Sequence, residues 1–443
     1  MSATSIDARL DRLQVTRLHK KVFGLVAVGM FFEGFDIYIA ASVLGDAYRS
    51  GFSTLAQNGL FISSTFVGMT LGALLTGIWG DRFGRRRTYQ FNLLVFGGAA
   101  LASAFAPNMN VLIALRFFMG LGLGAENVVG YSIMTEFFPA GARGRWSGFI
   151  ATVVTSGLPV SAFLAWLLVP GFGWRVMFVL GALGAIIAWF LRRQMPESPR
   201  WLVTVGRTLE ADALVSEFER ASPLCETVAA SPIQPSDPPG SLEKLAGGEF
   251  VRRLFVGSVA LMVVNTLLYG FITWLPTFFV AQGDTIARSA GFALIMALGG
   301  PVGSALGAVS ADTFGRRTSV IGAALIAMLL SLAFSLSTSS SLTAVIGFLL
   351  TIPIYVLVAV LFAVYVPELF PTEVRLRGVG ISNAAGRSAS IIVPLLVGPI
   401  FHDYGVGGVL LLMGASLSVM ILVIATLGVE PNNIRLAKWA VSR

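Results

Sequence analysis

Cysteine, histidine and charged residues are all scarce in this chain of 443 residues. The one cysteine, Cys225, cannot form an intrachain disulfide or a thiolate metal cluster. The two histidines, His19 and His402, are too few for a multi-histidine metal site. Charged residues make up 12% of the chain, about half the share of roughly 25% that is usual in soluble domains. These shortages exclude a disulfide scaffold and a disordered chain, and they argue against a soluble enzyme, so we predict no metal or organic cofactor.

Long hydrophobic runs are abundant instead, since 55% of the residues are hydrophobic. A run of about 20 apolar residues is long enough to cross the hydrocarbon core of a bilayer as a helix. The sequence predicts an all-α integral membrane protein with twelve transmembrane helices. The predicted spans are 22–46, 59–80, 88–107, 111–133, 146–169, 174–192, 254–280, 289–311, 318–337, 342–366, 376–401 and 405–428.

The basic residues predict the orientation of these spans. Of the 31 Lys and Arg residues, 26 fall in the tails and loops of one side, whereas the opposite loops hold Arg49, Arg175 and Arg288. Cytoplasmic loops carry the excess of Lys and Arg, so both termini are predicted to be cytoplasmic. The net charge of +8 therefore reflects topology and not nucleic-acid binding. We expect a multi-pass protein of the inner (cytoplasmic) membrane whose surroundings are the lipid bilayer.

A polar segment divides the chain after the sixth span. Residues 231–240 are rich in Pro and Ser, which cannot propagate a helix, and residues 207–220 can form a short amphipathic helix before them. We predict an N-terminal six-helix half over 1–192, a partly disordered cytoplasmic linker over 193–253, and a C-terminal six-helix half over 254–443.

Two loop motifs recur in the second half. Asp81 in the loop after the second span is repeated by Asp312, 231 residues later. The segment from Glu136 to Pro139 is repeated from Glu368 to Pro371, 232 residues later. Two unrelated motifs with nearly the same offset indicate duplication of a six-span unit, an arrangement that transporters use to bind substrate between two halves.

The motifs resemble those of the major facilitator superfamily. Residues 77–87 resemble the loop signature between its second and third spans, and residues 116–124 its fourth-span motif. Residues 196–202 are similar to a segment of sugar porters, organic-ion transporters and aromatic-acid/proton symporters, and residues 33–36 resemble the first-span motif of the last group with Glu in place of Asp. We interpret the loop motifs as gates whose charges pair in one conformation and separate in another. The predicted gating residues are Gly77, Asp81, Arg82, Gly84, Arg85, Arg86, Glu136, Arg143, Asp312, Gly315, Arg316, Glu368 and Arg375.

Four charged residues inside the first and fourth spans are candidates for proton coupling, because intramembrane charge is costly. Glu33 and Asp36 are three residues apart and share a helix face. The resemblance implies that Asp36 couples to protons with Arg116 as its partner. Glu126, ten residues after Arg116, is a further candidate. The alternative is that these charges form static ion pairs that fix the packing.

Substrate-binding candidates lie on the seventh and eleventh spans. Arg387 is twelve residues beyond Arg375, about 18 Å along a helix, which places a permanent positive charge near the middle of the membrane. We predict that it binds an anionic substrate together with Asn383, Asn265, Tyr269 and Trp274. The alternative for Arg387 is a structural partner of Glu33 or Glu126.

The resulting prediction is a proton-coupled symporter of a small organic acid, aromatic or similar, and not an enzyme. It would work by alternating access as a monomer, with protons as the coupling ion. A proton-coupled sugar or polyol porter and an exporter of metabolites or drugs are the alternatives.

Overall fold

A computed structural model of the chain describes residues 3–221, 248–337, 339–370 and 375–429, and every regular element in them is helical. The helices of the first part are α1 (Ala3–Arg12), α2 (Arg17–Arg49), α3 (Leu55–Phe83), α4 (Arg85–Ala104), α5 (Met109–Phe137), α6 (Ala140–Phe172), α7 (Arg175–Arg192), α8 (Pro199–Thr204) and α9 (Thr208–Arg220). Those of the second part are α10 (Gly248–Gly270), α11 (Leu275–Ala281), α12 (Ile286–Ala297), α13 (Gly299–Thr313), α14 (Arg316–Ser335), α15 (Ser340–Val360), α16 (Val366–Leu369) and α17 (Arg375–Leu427). A 3₁₀ turn (Ile272–Trp274) joins α10 to α11, and a π-helical turn (Leu361–Tyr365) joins α15 to α16.

Ten helical segments within the described residues are long and apolar enough to cross a membrane. The predicted third span corresponds to α4, which is absent from these ten and begins with three consecutive arginines. The last two predicted spans both lie in α17, which consists of two helices that meet at a kink with non-helical backbone at Gly405. Because α4 is not counted and the last two spans are counted as one segment, the number is ten and not the predicted twelve.

The folded chain forms two compact units whose boundaries run through α2, α3 and α6. The first unit comprises residues 1–39, 64–161 and 172–233, and the second comprises 40–63, 162–171 and 234–443. The halves predicted from the sequence are continuous stretches of chain, whereas each unit combines segments that are separate in the sequence. The predicted domain boundaries therefore remain a prediction.

Within the first unit, α4 packs against α5 and α7. The close approach of α2 to α6 explains the glycine in the first-span motif. A Cβ atom at Gly34 would overlap the carbonyl oxygen of Val154, and one at Gly157 would overlap the backbone of Phe35. Glycine at these two positions lets the helices touch through their backbones, which sets the position of the flanking carboxylates.

Within the second unit, α10 packs along α17, and α13 packs against α15. The seventh predicted span is not one continuous helix here, because α10 ends at Gly270 and α11 begins at Leu275, followed by Pro276. Proline lacks an amide donor and is suited to the first turn of a helix. The break places Trp274 at a discontinuity of the span.

Three short helices, α1, α8 and α9, form a small cluster outside the spans. Ile6 and Leu10 of α1 are buried against Trp201, Leu202 and Val215. The amphipathic helix predicted over 207–220 is confirmed as α9, whereas the Pro- and Ser-rich part of the predicted linker lies outside the described residues.

Arg9 fastens α1 to α9. Its guanidinium donates two hydrogen bonds to Glu219, at 2.8 and 2.7 Å, one to Asp212 at 2.5 Å and one to Ser216 at 3.1 Å. The hydrogen bond from Arg9, followed by its charge, holds the pKa of the Glu219 carboxyl below its ordinary value against the opposing effect of burial. The same contacts raise the pKa of Arg9. The α1–α9 contact thus combines the polar interactions of Arg9 with the apolar packing of α1. We call the interactions of Arg9 with Glu219, Asp212 and Ser216 the clasp.

Candidate functional site

Asp36 of α2 and Arg116 of α5 form a buried ion pair in the first unit. Arg116 Nη1 lies 2.5 Å from Asp36 Oδ2, and the two side chains are 1% and 0% exposed. Arg116 also donates to the Asp36 carbonyl oxygen at 2.9 Å and to the hydroxyl of Thr65 at 2.9 Å. Among the described residues, Asp36 Oδ1 accepts no hydrogen bond. The pair therefore leaves one carboxylate oxygen able to take a proton, while Thr65 and the main chain hold the guanidinium in place.

Glu126 of α5 belongs to a second buried ion pair, with Arg192. Arg192 Nη1 donates to Glu126 Oε2 at 2.8 Å, and Nη2 donates to Oε1. The guanidinium also donates to the carbonyl oxygens of Leu25 and Val26, at 3.1 and 3.2 Å. Its carbon lies 3.5 Å from the centre of the Tyr89 ring. Both oxygens of the carboxylate and both terminal nitrogens of the guanidinium therefore take part in the pair.

Sequence reasoning missed Arg192, because the residue stands at the end of a span beside Arg193 and counts there as a loop charge. The structure corrects this: Arg192 is the last residue of α7 and is 0% exposed, whereas Arg193 is exposed. The signal that could have revealed it is Glu126 itself, since a buried carboxylate requires a cation or a proton. Glu126 thus has Arg192 as its partner, which removes one of the partners considered for Arg387.

Glu33 lies one helical turn before Asp36 and is 1% exposed. It is within electrostatic range of Arg192, Tyr89 and Tyr131. Among the described residues of the first unit, the buried charges of the spans are therefore Glu33, Asp36, Glu126, Arg116 and Arg192.

The predicted gate of the first half is an ion pair at the junction of α3 and α4. Arg85 lies 3.0 Å from Glu136 and donates to the carbonyl oxygen of Gly80 at 2.7 Å. Gly84 has φ of 92°, a conformation that favours glycine, and a Cβ there would also overlap the carboxylate of Glu197. Glu197 accepts from the backbone amide of Arg85 at 2.9 Å, so it caps α4 from another part of the chain.

The gate of the second half repeats this geometry in the second unit. Arg316 lies 3.2 Å from Glu368 and donates to the carbonyl oxygen of Ala311 at 3.0 Å. Gly315 has φ of 87°. Arg82 and Arg86 are exposed, and Arg86 Nη2 donates to the carbonyl oxygen of Arg193 at 2.5 Å. The structure does not describe the surroundings of the remaining predicted gating residues, which are Gly77, Asp81, Arg143, Asp312 and Arg375.

In the second unit, Asn265 of α10 is tied to α17. Its amide nitrogen donates to the Leu261 carbonyl oxygen at 2.7 Å, and its oxygen accepts from Ser390 at 2.9 Å. Asn383, Arg387 and Ser390 recur at i, i+4 and i+7, so they share one stripe of α17. The contact of Ser390 with Asn265 turns this stripe toward α10.

The aromatic candidates differ in their surroundings. Trp274 is 1% exposed and its ring stacks on Phe278 at a centroid distance of 6.1 Å, while Phe278 stacks on Phe401 at 4.6 Å. The Trp274 indole nitrogen has no hydrogen-bond acceptor among the described residues. Tyr269 and Arg387 are half-buried. The candidate groups of the second unit are therefore a tyrosine on α10, a buried indole donor in the turn that follows it, and a cation on α17. The described residues contain no cluster of His, Cys, Asp and Glu able to hold a metal ion.

Comparison with known proteins gives consistent results over most of the chain. Residues 26–394 match the model of the Major Facilitator Superfamily. The inner membrane metabolite transport protein YdjE of Escherichia coli is 34% identical, and the match covers 97% of both chains. The niacin transporter NiaP of Acinetobacter baylyi is 31% identical over 88% of this chain and 89% of its own. A crystal structure of a D-xylose-proton symporter shares the fold with a TM-score of 0.74 and 18% identity, covering 93% of this chain and 98% of that one.

Proposed function

Because the chain belongs to the Major Facilitator Superfamily and is a metabolite transporter of the inner membrane and not an enzyme, we propose that it is a proton-coupled symporter of a small organic acid. The observation that carries this proposal is the buried pair of Asp36 and Arg116, in which a titratable group and a permanent cation meet inside a membrane span. The substrate class is an aromatic or similar carboxylate.

Asp36 supplies the proton step. Protonation removes its negative charge and with it the attraction to Arg116, while Thr65 and the Asp36 carbonyl oxygen still accept hydrogen bonds from the guanidinium. Arg116 stays charged at any physiological pH. The occupancy of one proton thus changes the charge of the pair without requiring Arg116 to leave its position, which is what a carrier needs when it alternates between two sides.

Glu33 and Glu126 take different parts in this proposal. Glu33 is buried one helical turn before Asp36, and it serves as the second proton carrier. The charge pattern predicts a coupling role for Glu126 too, but its two-pronged pair with Arg192 favours a fixed negative charge. Glu126 then stabilises the bundle and sets the local field in which Glu33 and Asp36 titrate.

Arg387 is the proposed anchor for the substrate carboxylate. A guanidinium matches a carboxylate with two parallel hydrogen bonds. Asn383 lies on the same stripe of α17, and Tyr269 and Trp274 supply ring surfaces on and just after α10, with a buried indole donor. Two relatives are named as niacin transporters or putative ones, in Acinetobacter baylyi and Bacillus subtilis. Nicotinate, a ring-bearing carboxylate, is therefore the first substrate to test.

The gates and the topology complete the proposal. The two gates are the ion pairs Arg85–Glu136 and Arg316–Glu368. Each pair forms when the helices that carry its two residues come together, and it breaks when these helices move apart. Both termini face the cytoplasm, as the distribution of Lys and Arg predicts, and the working unit is a monomer.

External pH in a lightly buffered suspension of de-energised cells tests the proposal. Nicotinate, benzoate-like acids, short carboxylates, sugars and polyols are added in turn to cells that make the protein. Symport of an acid with protons raises the external pH for one carboxylate class. Arg387→Ala cells control for acids that cross the lipid unaided, and Arg288→Ala removes the same charge from a side chain that is 64% exposed.

We expect the signal to vanish in Arg387→Ala, to persist partly in Arg387→Lys, and to be unchanged in Arg288→Ala. A rise of the external pH with a sugar or polyol would show that the substrate is neutral, and Arg387 would then have a structural role. No signal with any compound would favour export.

Asp36→Asn separates coupling from binding. The amide cannot carry a proton, so net uptake against a gradient is lost, while exchange of labelled for unlabelled substrate across proteoliposomes continues. Loss of both activities in a variant that still folds would contradict a pure coupling role for Asp36.

A further inference from the structure

A cavity of about 540 Å³ lies between the first turn of α4 and the helices α8 and α9, within the first unit. Three arginines, Arg86, Arg87 and Arg207, and two glutamates, Glu197 and Glu210, line it. It is separate from the buried pairs of Asp36 and Glu126 and from the Arg85–Glu136 pair, and of its lining residues only Arg86 belongs to the predicted gating residues.

Both glutamates of the cavity are engaged by the protein itself. Glu197 accepts backbone hydrogen bonds from Arg85 at 2.9 Å, from Arg86 at 3.2 Å and from Ser198 at 3.0 Å. Glu210 is paired with Arg207 at 2.5 Å. The N-terminus of α4 thus holds Glu197, and one arginine holds Glu210, so the cavity has three arginines against two glutamates.

The positive charge of the cavity is in excess. Arg86 donates from one Nη atom to the Arg193 carbonyl oxygen and forms no ion pair with a carboxylate in the described part of the chain. Arg87 is exposed and forms no ion pair with any residue that the structure describes. Two guanidinium charges thus face the cavity without a carboxylate of their own, so the chemistry favours an anion with several acceptor oxygens.

The cavity borders an apolar surface. Phe83 lines it and is 49% exposed, and Phe91 and Trp79 nearby are 49% and 38% exposed and in edge contact at 5.6 Å. Trp is enriched at the interface between membrane and water, and Trp79 lies here near basic residues at the end of α3. An anion that also has an apolar part would satisfy both surfaces at once.

We propose that this cavity binds the phosphate of an anionic phospholipid headgroup. Arg86 and Arg87 hold the phosphate oxygens, Arg207 with its partner Glu210 closes the far wall, and the acyl chains lie along the face of Phe83 and Phe91. Basic pockets between helices at the cytoplasmic side of a membrane suit such headgroups.

Lipid binding to the purified full-length protein tests the proposal. Native mass spectrometry would give apparent dissociation constants for dioleoylphosphatidylglycerol and for dioleoylphosphatidylcholine. The variant Arg87→Gln/Arg207→Gln is compared with Arg12→Gln/Arg220→Gln, which removes the same charge from exposed side chains of α1 and α9 outside the cavity. A phosphate-binding arginine near the membrane surface contributes about fivefold in affinity, so the loss of Arg87 should weaken phosphatidylglycerol binding about fivefold. The loss of Arg207 leaves Glu210 without its partner at the cavity wall and should weaken binding further, whereas we expect little change in the second variant.

A companion titration with inorganic phosphate distinguishes the two sources of the anion. Phosphate that displaces the lipid only at high concentration supports the lipid headgroup. If inorganic phosphate binds without lipid and its binding depends on Arg87 and Arg207 in the same way, the cavity is an anion site whose ligand is free phosphate and not a lipid headgroup. Equal phosphatidylglycerol affinity in the two double variants would overturn the proposal, and Arg87→Lys/Arg207→Lys, which keeps the charge, should recover most of the binding if the glutamine variant proves unstable.

Discussion

The two buried arginines of the first unit, Arg116 and Arg192, differ in the hydrogen bonds that they donate to their carboxylate partners. Arg116 engages one oxygen of Asp36, whereas Arg192 engages both oxygens of Glu126 and two main-chain carbonyl groups. A carboxylate held at one oxygen can change its protonation state at modest cost. A carboxylate held at both oxygens loses a charge-assisted hydrogen bond when either oxygen is protonated.

Replacing Arg192 is expected to destabilise the protein strongly. Arg192→Met leaves Glu126 buried without its cation, and breaking one side of a buried pair costs about 3–5 kcal/mol. The double variant Arg192→Met/Glu126→Met removes both charges and should be more stable than the single variant. The midpoint of thermal unfolding in detergent measures this order.

The neighbouring residue provides the control for that experiment. Arg193 is exposed and its guanidinium lies over Trp189. Arg193→Met should therefore change the free energy of unfolding by about 0.5 kcal/mol or less. A double variant no more stable than Arg192→Met would show that the pair is not the reason for the loss.

Contact between α2 and α6 is the element-scale feature on which the coupling site depends. Gly34 lies between Glu33 and Asp36, and its missing side chain allows the backbone of α2 to meet that of α6. The helix that carries both carboxylates is thus positioned by a residue that has no chemistry of its own.

Gly34→Ala should impair transport even though alanine favours a helix. The added Cβ overlaps the Val154 carbonyl oxygen and displaces α2, at a cost of about 1–3 kcal/mol for overpacking. Gly24→Ala, on the same helix where a Cβ meets nothing, should be neutral or stabilising by about 0.5–1 kcal/mol. Uptake rates and unfolding midpoints of both variants check this, and equal behaviour would contradict the close approach.

The clasp between α1 and α9 predicts a dependence of stability on pH. The pKa of Glu219 is lowered in the folded protein, chiefly by its hydrogen bond with Arg9, so its contribution is present above the pKa of the unfolded chain, near 4.3. The contribution is lost as the pH falls through the lower, folded value. The raised pKa of Arg9 keeps the arginine charged over this whole range.

Arg9→Gln measures the clasp directly. The difference in unfolding midpoint between the wild type and this variant should be constant from about pH 6 to 8 and shrink below about pH 4. Solvent screening limits the effect to about 1 kcal/mol, since Glu219 is 39% exposed. Arg12→Gln, an exposed charge on α1, is the matched control and should show no such pH dependence.

On the scale of the whole molecule, duplication of the six-span unit appears in hydrogen bonds as well as in sequence. Arg86 donates to the carbonyl oxygen of Arg193, and Arg317 donates to that of Ala425, at the end of the last span. The donors are 231 residues apart and the acceptors 232, the same offsets as in the gate pairs. Each unit therefore carries its own copy of the gate, built by the same local rules.

Exchanging the charges of one gate should test its electrostatic nature. Arg316→Glu places two carboxylates together and should slow substrate exchange, about tenfold if the closed form loses 1.4 kcal/mol. Arg316→Glu/Glu368→Arg restores an attractive pair and should recover part of the rate. Exchange in proteoliposomes gives both numbers, and a double variant as slow as the single one would point to a positional role for Arg316 instead.

Much of the fold followed from the sequence because the membrane imposes strong rules. Apolar runs must be helical, duplicated motifs indicate repeated units, and the motifs predicted the family that the comparison confirms. The charges inside spans were also visible, because polar residues stand out in an apolar run. Asp36 and Arg116 were thus predicted as partners through the resemblance, and the structure brings them together.

Only the tertiary structure decided which of the other charges meet. Arg192 and Glu126 are 66 residues apart, on helices whose rotation and depth are set by packing and not by composition. The same holds for Glu197, which caps α4 from 112 residues away, and for the break before Trp274. Local patterns determine which residues lie in the membrane, and the three-dimensional packing of helices determines which of them can exchange a proton, because partners distant in sequence meet only in the folded chain.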